Sequence, residues 1–177
     1  MINREDALQK LKQYKPDHYQ FQHALHTESI MRAMAPKFDG DPDYWGICGL
    51  LHDVDFPLTQ DNYQEHGLKA RELLADLPGV DDRLIRAIMA HNAELLGIEI
   101  ESPLEYALRC AETVTGMITA AALVRPNGMQ GMEAKSIKKK MKDKSFAAAV
   151  SRERIKECEK IGLSVDDFLA IAIQAMS

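Results

Sequence analysis

The segment Gly49 to Phe56, GLLHDVDF, ends an apolar run on His52 and Asp53, with Asp55 two residues further on. A neutral imidazole and a carboxylate are good ligands for borderline or hard divalent metals. The end of a helix can fan two adjacent side chains toward one point. Three other histidines share the context of a helical stretch with apolar residues one turn away and a nearby carboxylate: His23, His66 in EHGLKA and His91 in IMAHNAE. Glu112 interrupts the apolar face of ALRCAETVTGMITA. The competing readings are structural. His52-Asp53 could be a buried ion pair, and Glu112 could pair with Arg109 three residues earlier. His18 and His26, the other two of the six histidines, have no motif around them.

These residues need elements to position them, and nearly everything reads as helix. Asn3 caps a helix to about Tyr14, with Glu5 and Asp6 in its first turn. Asp17 to Met34 is amphipathic through Phe21, Leu25, Ile30, Met31 and Met34. Asp41 and Pro42 open a helix, Asp43 to His52, that is apolar nearly all round and therefore central. Further helices are expected at about Tyr63–Leu77, Asp81–Leu96 and Ser102–Val124, the last opened by the capping pattern Ser102-Pro103-Leu104-Glu105. Arg125-Pro126-Asn127-Gly128 breaks the chain, and helices at about Arg152–Ile161 and Val165–Met176 close it. No segment alternates like a strand. The expectation is an all-α, single-domain helical bundle over residues 1–177.

The bulk composition narrows the function. With 177 residues, 46% hydrophobic and 28% charged, the chain can bury a core as one globular unit. No apolar run reaches membrane-spanning length and the charged start is unlike a signal peptide. Cys48, Cys110 and Cys158 lie far apart, which fits reduced thiols in a cytoplasmic protein and not a thiolate zinc site. The net charge of −5 hides a basic segment: Lys135 to Lys160 carries ten Lys or Arg against four Asp or Glu. An acidic body with one basic patch argues against polymeric nucleic acid and leaves room for a local anion site. Nine methionines on helical faces suit a homodimer or a flexible pocket equally well.

The ordered set His23, His52-Asp53, Glu112 resembles the HD superfamily of metal-dependent phosphohydrolases, over about Gln22 to Ala121. WGICGLLHDVDF and GMITAAALVRP look like a small bacterial branch of predicted HD hydrolases. The resemblance implies an HD core at about 17–124, followed by a lysine-rich segment and C-terminal helices over 125–177. It implies metal ligands at His23, His52, Asp53, His66, His91 and Glu112, for one or two divalent ions among Mn, Fe, Co, Ni and Zn. Where the family usually has Asp, this chain has Glu112, one methylene longer. His52, Asp53, His66 and His91 are then the catalytic residues. The implied reaction is hydrolysis of a small phosphate ester, such as a nucleotide, by water whose pKa a bound dication lowers from about 15.7 toward ~7. A di-iron oxygenase on the same scaffold and a non-catalytic ligand sensor are the alternatives.

A phosphate ester also needs positive charge away from the metal. Lys135, Lys138, Lys139, Lys140, Lys142 and Lys144 crowd ten residues, with Arg152 and Arg154 beyond. A solvated face is the ordinary fate of such a run. The alternative is that Lys139, Lys142, Lys144 and Arg152 bind the substrate phosphate. Asp55 is expected either to hold a histidine N–H behind the metal or to lie solvated in a loop.

Overall fold

A computed structural model describes residues 2–177. Eleven α-helices and three short 3-10 turns make up its regular structure, with no strand among the described residues. They are α1 (Arg4–Gln13), α2 (His18–Met34), α3 (Pro42–Leu51), α4 (Phe56–Thr59), α5 (Ala70–Leu73), α6 (Asp82–Ala90), α7 (Ala93–Leu96), α8 (Pro103–Leu123), α9 (Ala134–Lys142), α10 (Arg152–Lys156) and α11 (Val165–Met176). The all-α expectation holds.

Local chemistry sets the starts of the long helices. Asn3, Asp17, Asp41, Asp81, Ser102 and Ser164 each accept a first-turn backbone N–H, and Asp17 closes a full capping box with Gln20. α3 is the hub. Every residue from Trp45 to Leu51 is buried, because α1, α2, α6 and α8 all pack on it. Gly49 lets α2 approach closely: a Cβ there would sit 2.9 Å from the Thr27 carbonyl oxygen and 3.0 Å from Met31 Cγ. Leu50 and Leu51 are fully buried just before the His52-Asp53 doublet. Truncating such a leucine costs about 2–5 kcal/mol and would loosen the base of the site.

Two expected helices are broken, and both breaks serve the same region. Over Tyr63–Leu77 the chain makes a 3-10 turn at Tyr63–Glu65, then leaves helical geometry at His66. Gly67 follows with φ +88°, left-handed backbone that an L side chain resists. Over Asp81–Leu96 the helix stops at Ala90 and restarts at Ala93. Periodicity hid both interruptions, since the apolar pattern continues across them.

Candidate metal centre

His52 and His91 occupy equivalent local positions, each one residue past the end of a helix. A helix end leaves its last carbonyls without intrahelical donors. Each imidazole folds back and gives its Nδ1–H to the carbonyl three residues earlier: His52 to Gly49 at 2.7 Å, and His91 to Ile88. The helix terminus thereby fixes the tautomer and leaves Nε2 as a bare lone pair pointing away from the helix.

The other two histidines reach the same state by different means. His66 gives Nδ1–H to Asp55 Oδ1 at 3.0 Å, while Gly67 N–H donates to Asp55 Oδ2 at 2.7 Å. Asp55 is fully buried, so it is no solvated loop residue. Asn92 Nδ2 donates to the His66 carbonyl and ties the two broken helices together. On α2, His23 faces α8. The Thr115 hydroxyl donates to the Glu112 carbonyl at 2.6 Å and accepts from His23 Nδ1 at 2.8 Å.

Four Nε2 atoms therefore converge in two pairs, His23 with His52 at 3.1 Å and His66 with His91 at 2.9 Å. Asp53 lies between the pairs. Its Oδ2 is 3.6 Å from His23 Nε2 and 3.4 Å from His52 Nε2. Its Oδ1 is 3.2 Å from His66 Nε2 and 3.5 Å from His91 Nε2. Two groups of metal-ligand atoms result, His23/His52/Asp53 and Asp53/His66/His91, each mutually within 4.8 Å. Tight turns after α3 aim the doublet: Val54 N–H returns to Leu51, Phe56 N–H to Asp53, and buried Val54 anchors the turn.

The electrostatics reflect lone pairs facing lone pairs. Burial, with the neighbouring His52 charge, pushes His23 down to about 4, and burial pushes His91 down to about 3. Burial opposes charge on His66 as well, but hydrogen bonds to Asp53 and Asp55 lift it to about 9. In His52 burial is likewise outweighed by Asp53, and its pKa rises. Asp53 is held well below the usual carboxylate range, against its own burial, by His52 and His66. Each imidazole pair thus favours a single shared positive charge. With every Nδ1 proton committed outward, an N/O-bound divalent cation fits both groups.

Glu112 joins neither group. Its Oε1 accepts from the Thr113 hydroxyl at 2.5 Å and stands 3.5 Å from Arg154 Nη1. Burial raises its pKa despite the Thr113 bond. The ion pair with Arg109 does not form, because Arg109 is drawn into a different network with Glu94 and Glu157 and also donates to the Ala90 and His91 carbonyls. His18 is exposed and His26 is half-buried, and neither belongs to either group.

The lysines are elsewhere. A cleft of about 510 Å³ opens on the metal side, lined by Tyr19, His23, Glu112, Gly116, Val150 and Arg154 among others. Lys139, Lys142, Lys144 and Arg152 do not line it. Lys139 is exposed on α9, and Lys142 and Lys144 line a separate cleft. Arg152 has no free donor for a phosphate. Its guanidinium donates to the carbonyls of Met141, Asp143, Phe146, Ala147 and Val150. Those five bonds use every N–H it has. The cation at the metal side is Arg154, anchored by Glu94 at 2.7 Å. Its number beside Arg152 in a basic run gave no reason to prefer it. Thr115 was equally silent, one of several threonines on α8.

The family model for the HD domain matches residues 21–123. The chain belongs to the HD domain family. That match runs from α2 through the end of α8 and so contains all five converging side chains. HD domains are in general metal-dependent hydrolases, and the His/Asp cluster of this HD domain is compatible with divalent metal. Comparison with curated proteins and with solved structures brings no match. No helix among the described residues is long and apolar enough to cross a membrane.

Proposed function

We propose that this HD domain protein hydrolyses a small phosphate ester, such as a nucleotide, with divalent metal. The observation that carries the reading is the placement of four outward-braced imidazoles in two groups that share Asp53. His23, His52 and Asp53 would hold one cation, and Asp53, His66 and His91 a second. Such cations supply Lewis acidity to phosphoryl oxygens and acidify water at the site.

The chain's own residues do the rest. Gly49, Ile88, Asp55 and Thr115 hold the four rings in fixed orientation through Nδ1, so that ligation costs little reordering. Arg154 presents a planar, permanently charged fork at the metal-side cleft, suited to phosphoryl oxygens. Glu112 and Glu94 steady that guanidinium. Tyr19, Ala149 and Val150 form the wall against which the organic part of the ester would rest. The net charge of −5 supports a small phosphorylated metabolite over polymeric nucleic acid or an anionic membrane as the partner.

The test is metal-free protein resupplied with Mn, Fe, Co, Ni, Zn or Mg and assayed for phosphate release from a panel of phosphorylated metabolites. At least one metal should restore turnover without oxygen, and His52→Ala and Asp53→Ala should abolish it. Full turnover in either variant refutes the site, and activity that requires dioxygen refutes the reaction.

A further inference from the structure

A cleft of about 710 Å³ lies away from the metal centre. It lies among α9, the segment that follows it, α10 and the start of α11, and shares no lining residue with the metal-side cleft. Its size falls within the range of small-molecule sites. Met141 and Val165 give it an apolar floor, and five cations, Lys138, Lys142, Lys144, Arg152 and Lys156, line it.

Ion pairing leaves much of that charge unanswered. Lys138 is taken by Asp166 at 2.6 Å and Lys156 by Glu153 at 2.9 Å. Arg152 bonds only backbone carbonyls and makes no salt bridge, although its charge is felt by the Asp143 carboxylate. Lys142 and Lys144 have neither a hydrogen bond nor a salt bridge among the described residues, and both are exposed. Against these three stands one lining carboxylate without a cationic partner, Glu159. On a chain of net charge −5, these clustered cations give the concave surface a local positive potential that attracts an anion. Arg152 also pins the chain from Met141 to Val150, so the lysines of that stretch ride on a fixed scaffold.

We propose that this cleft is a second anion site, separate from the metal centre, for a polyphosphorylated metabolite of nucleoside-diphosphate size. Lys142 and Lys144 bind its phosphates, Arg152 adds an undirected positive field, and Met141 and Val165 take the nucleoside. The experiment is calorimetric titration of the metal-free full chain with ADP, paired with NMR of ¹³C-methyl-labelled methionine, in which Met141→Leu assigns the Met141 signal. Expected are one ADP per chain, a shift of the Met141 methyl, weakening with added salt, and roughly tenfold lower affinity in Lys142→Gln/Lys144→Gln. Absence of binding at millimolar ADP, undiminished affinity in the double variant, or an unmoved Met141 methyl would overturn the proposal. Neither metal nor turnover enters the measurement, so its failure would leave the phosphohydrolase reading untouched.

Discussion

Asp55→Asn isolates the part of the centre that no ligand count reveals. The carboxylate receives two donors, His66 Nδ1–H at 3.0 Å and Gly67 N–H at 2.7 Å, with no solvent exposure. An asparagine keeps the shape but has one acceptor oxygen and one donor amide. The Gly67 N–H cannot change its character, so the oxygen must turn to it. The amide then faces His66 Nδ1, and the imidazole can adapt only by giving up that proton. The proton moves to Nε2, the atom 2.9 Å from His91 Nε2 and 3.2 Å from Asp53 Oδ1. One lone pair of the Asp53/His66/His91 group is thereby blocked, while the Nδ1 anchors of His23 and His52 are untouched. Loss of such a supporting hydrogen bond lowers metal affinity by roughly 10- to 100-fold. Replacing charge-assisted bonds by neutral ones should also cost about 1.5–3 kcal/mol of stability. Manganese calorimetry should show one class of site weakened and the other retained. Long-range ¹H–¹⁵N correlation, recorded above pH 9 where the His66 ring is neutral, should show it switching from the Nδ1–H to the Nε2–H tautomer. Unchanged manganese affinity at both sites with His66 still protonated on Nδ1 would refute the reasoning.

Other perturbations test separate links. Gly49→Ala drives a Cβ into the Thr27 backbone and should lower stability by about 1–3 kcal/mol in urea melts. Gly46→Ala meets first the flexible Arg32 side chain and should cost less, so equal losses would place the α2–α3 contact elsewhere. Arg154→Gln should leave manganese binding intact and reduce kcat/KM roughly 10- to 100-fold, as expected for a lost charge-assisted contact to phosphate. Arg109 hydrogen bonds hold Glu94 down to about 2 from its ordinary 4.5. A depressed carboxylate stabilises the fold above pH 4.5, and that contribution is lost as pH falls through 2. The stability gap between the protein and Glu94→Gln should therefore narrow from about pH 5 to about pH 3 in denaturant titrations, and a constant gap would remove the ion pair from the acid response.

How much was legible divides along a physical line. Helix starts were, because a cap is a local event: Asn3, Asp17, Asp41 and Ser102 accept N–H groups within three residues. The buried nature of α3 was also plain, since a helix apolar on all sides has nowhere else to go. The chemical types at His23, His52-Asp53, His66 and His91 pointed to an N/O metal centre, and the tertiary structure brings those five together. What sequence could not supply was anything decided by partners distant along the chain. Glu112 turned to Thr113 and Arg154, 42 residues away, instead of joining a ligand group. Asp55 became the brace of His66 only because Gly67 turns the chain back onto it. Of the lysines that looked suited to gripping substrate, Lys142 and Lys144 line a cleft of their own and Lys139 faces solvent, because Arg152 spends all its donors shaping the loop after α9. Periodicity and capping are short-range and survive in one dimension. The direction in which a long polar side chain turns is settled by competition among donors and acceptors that only the folded chain assembles.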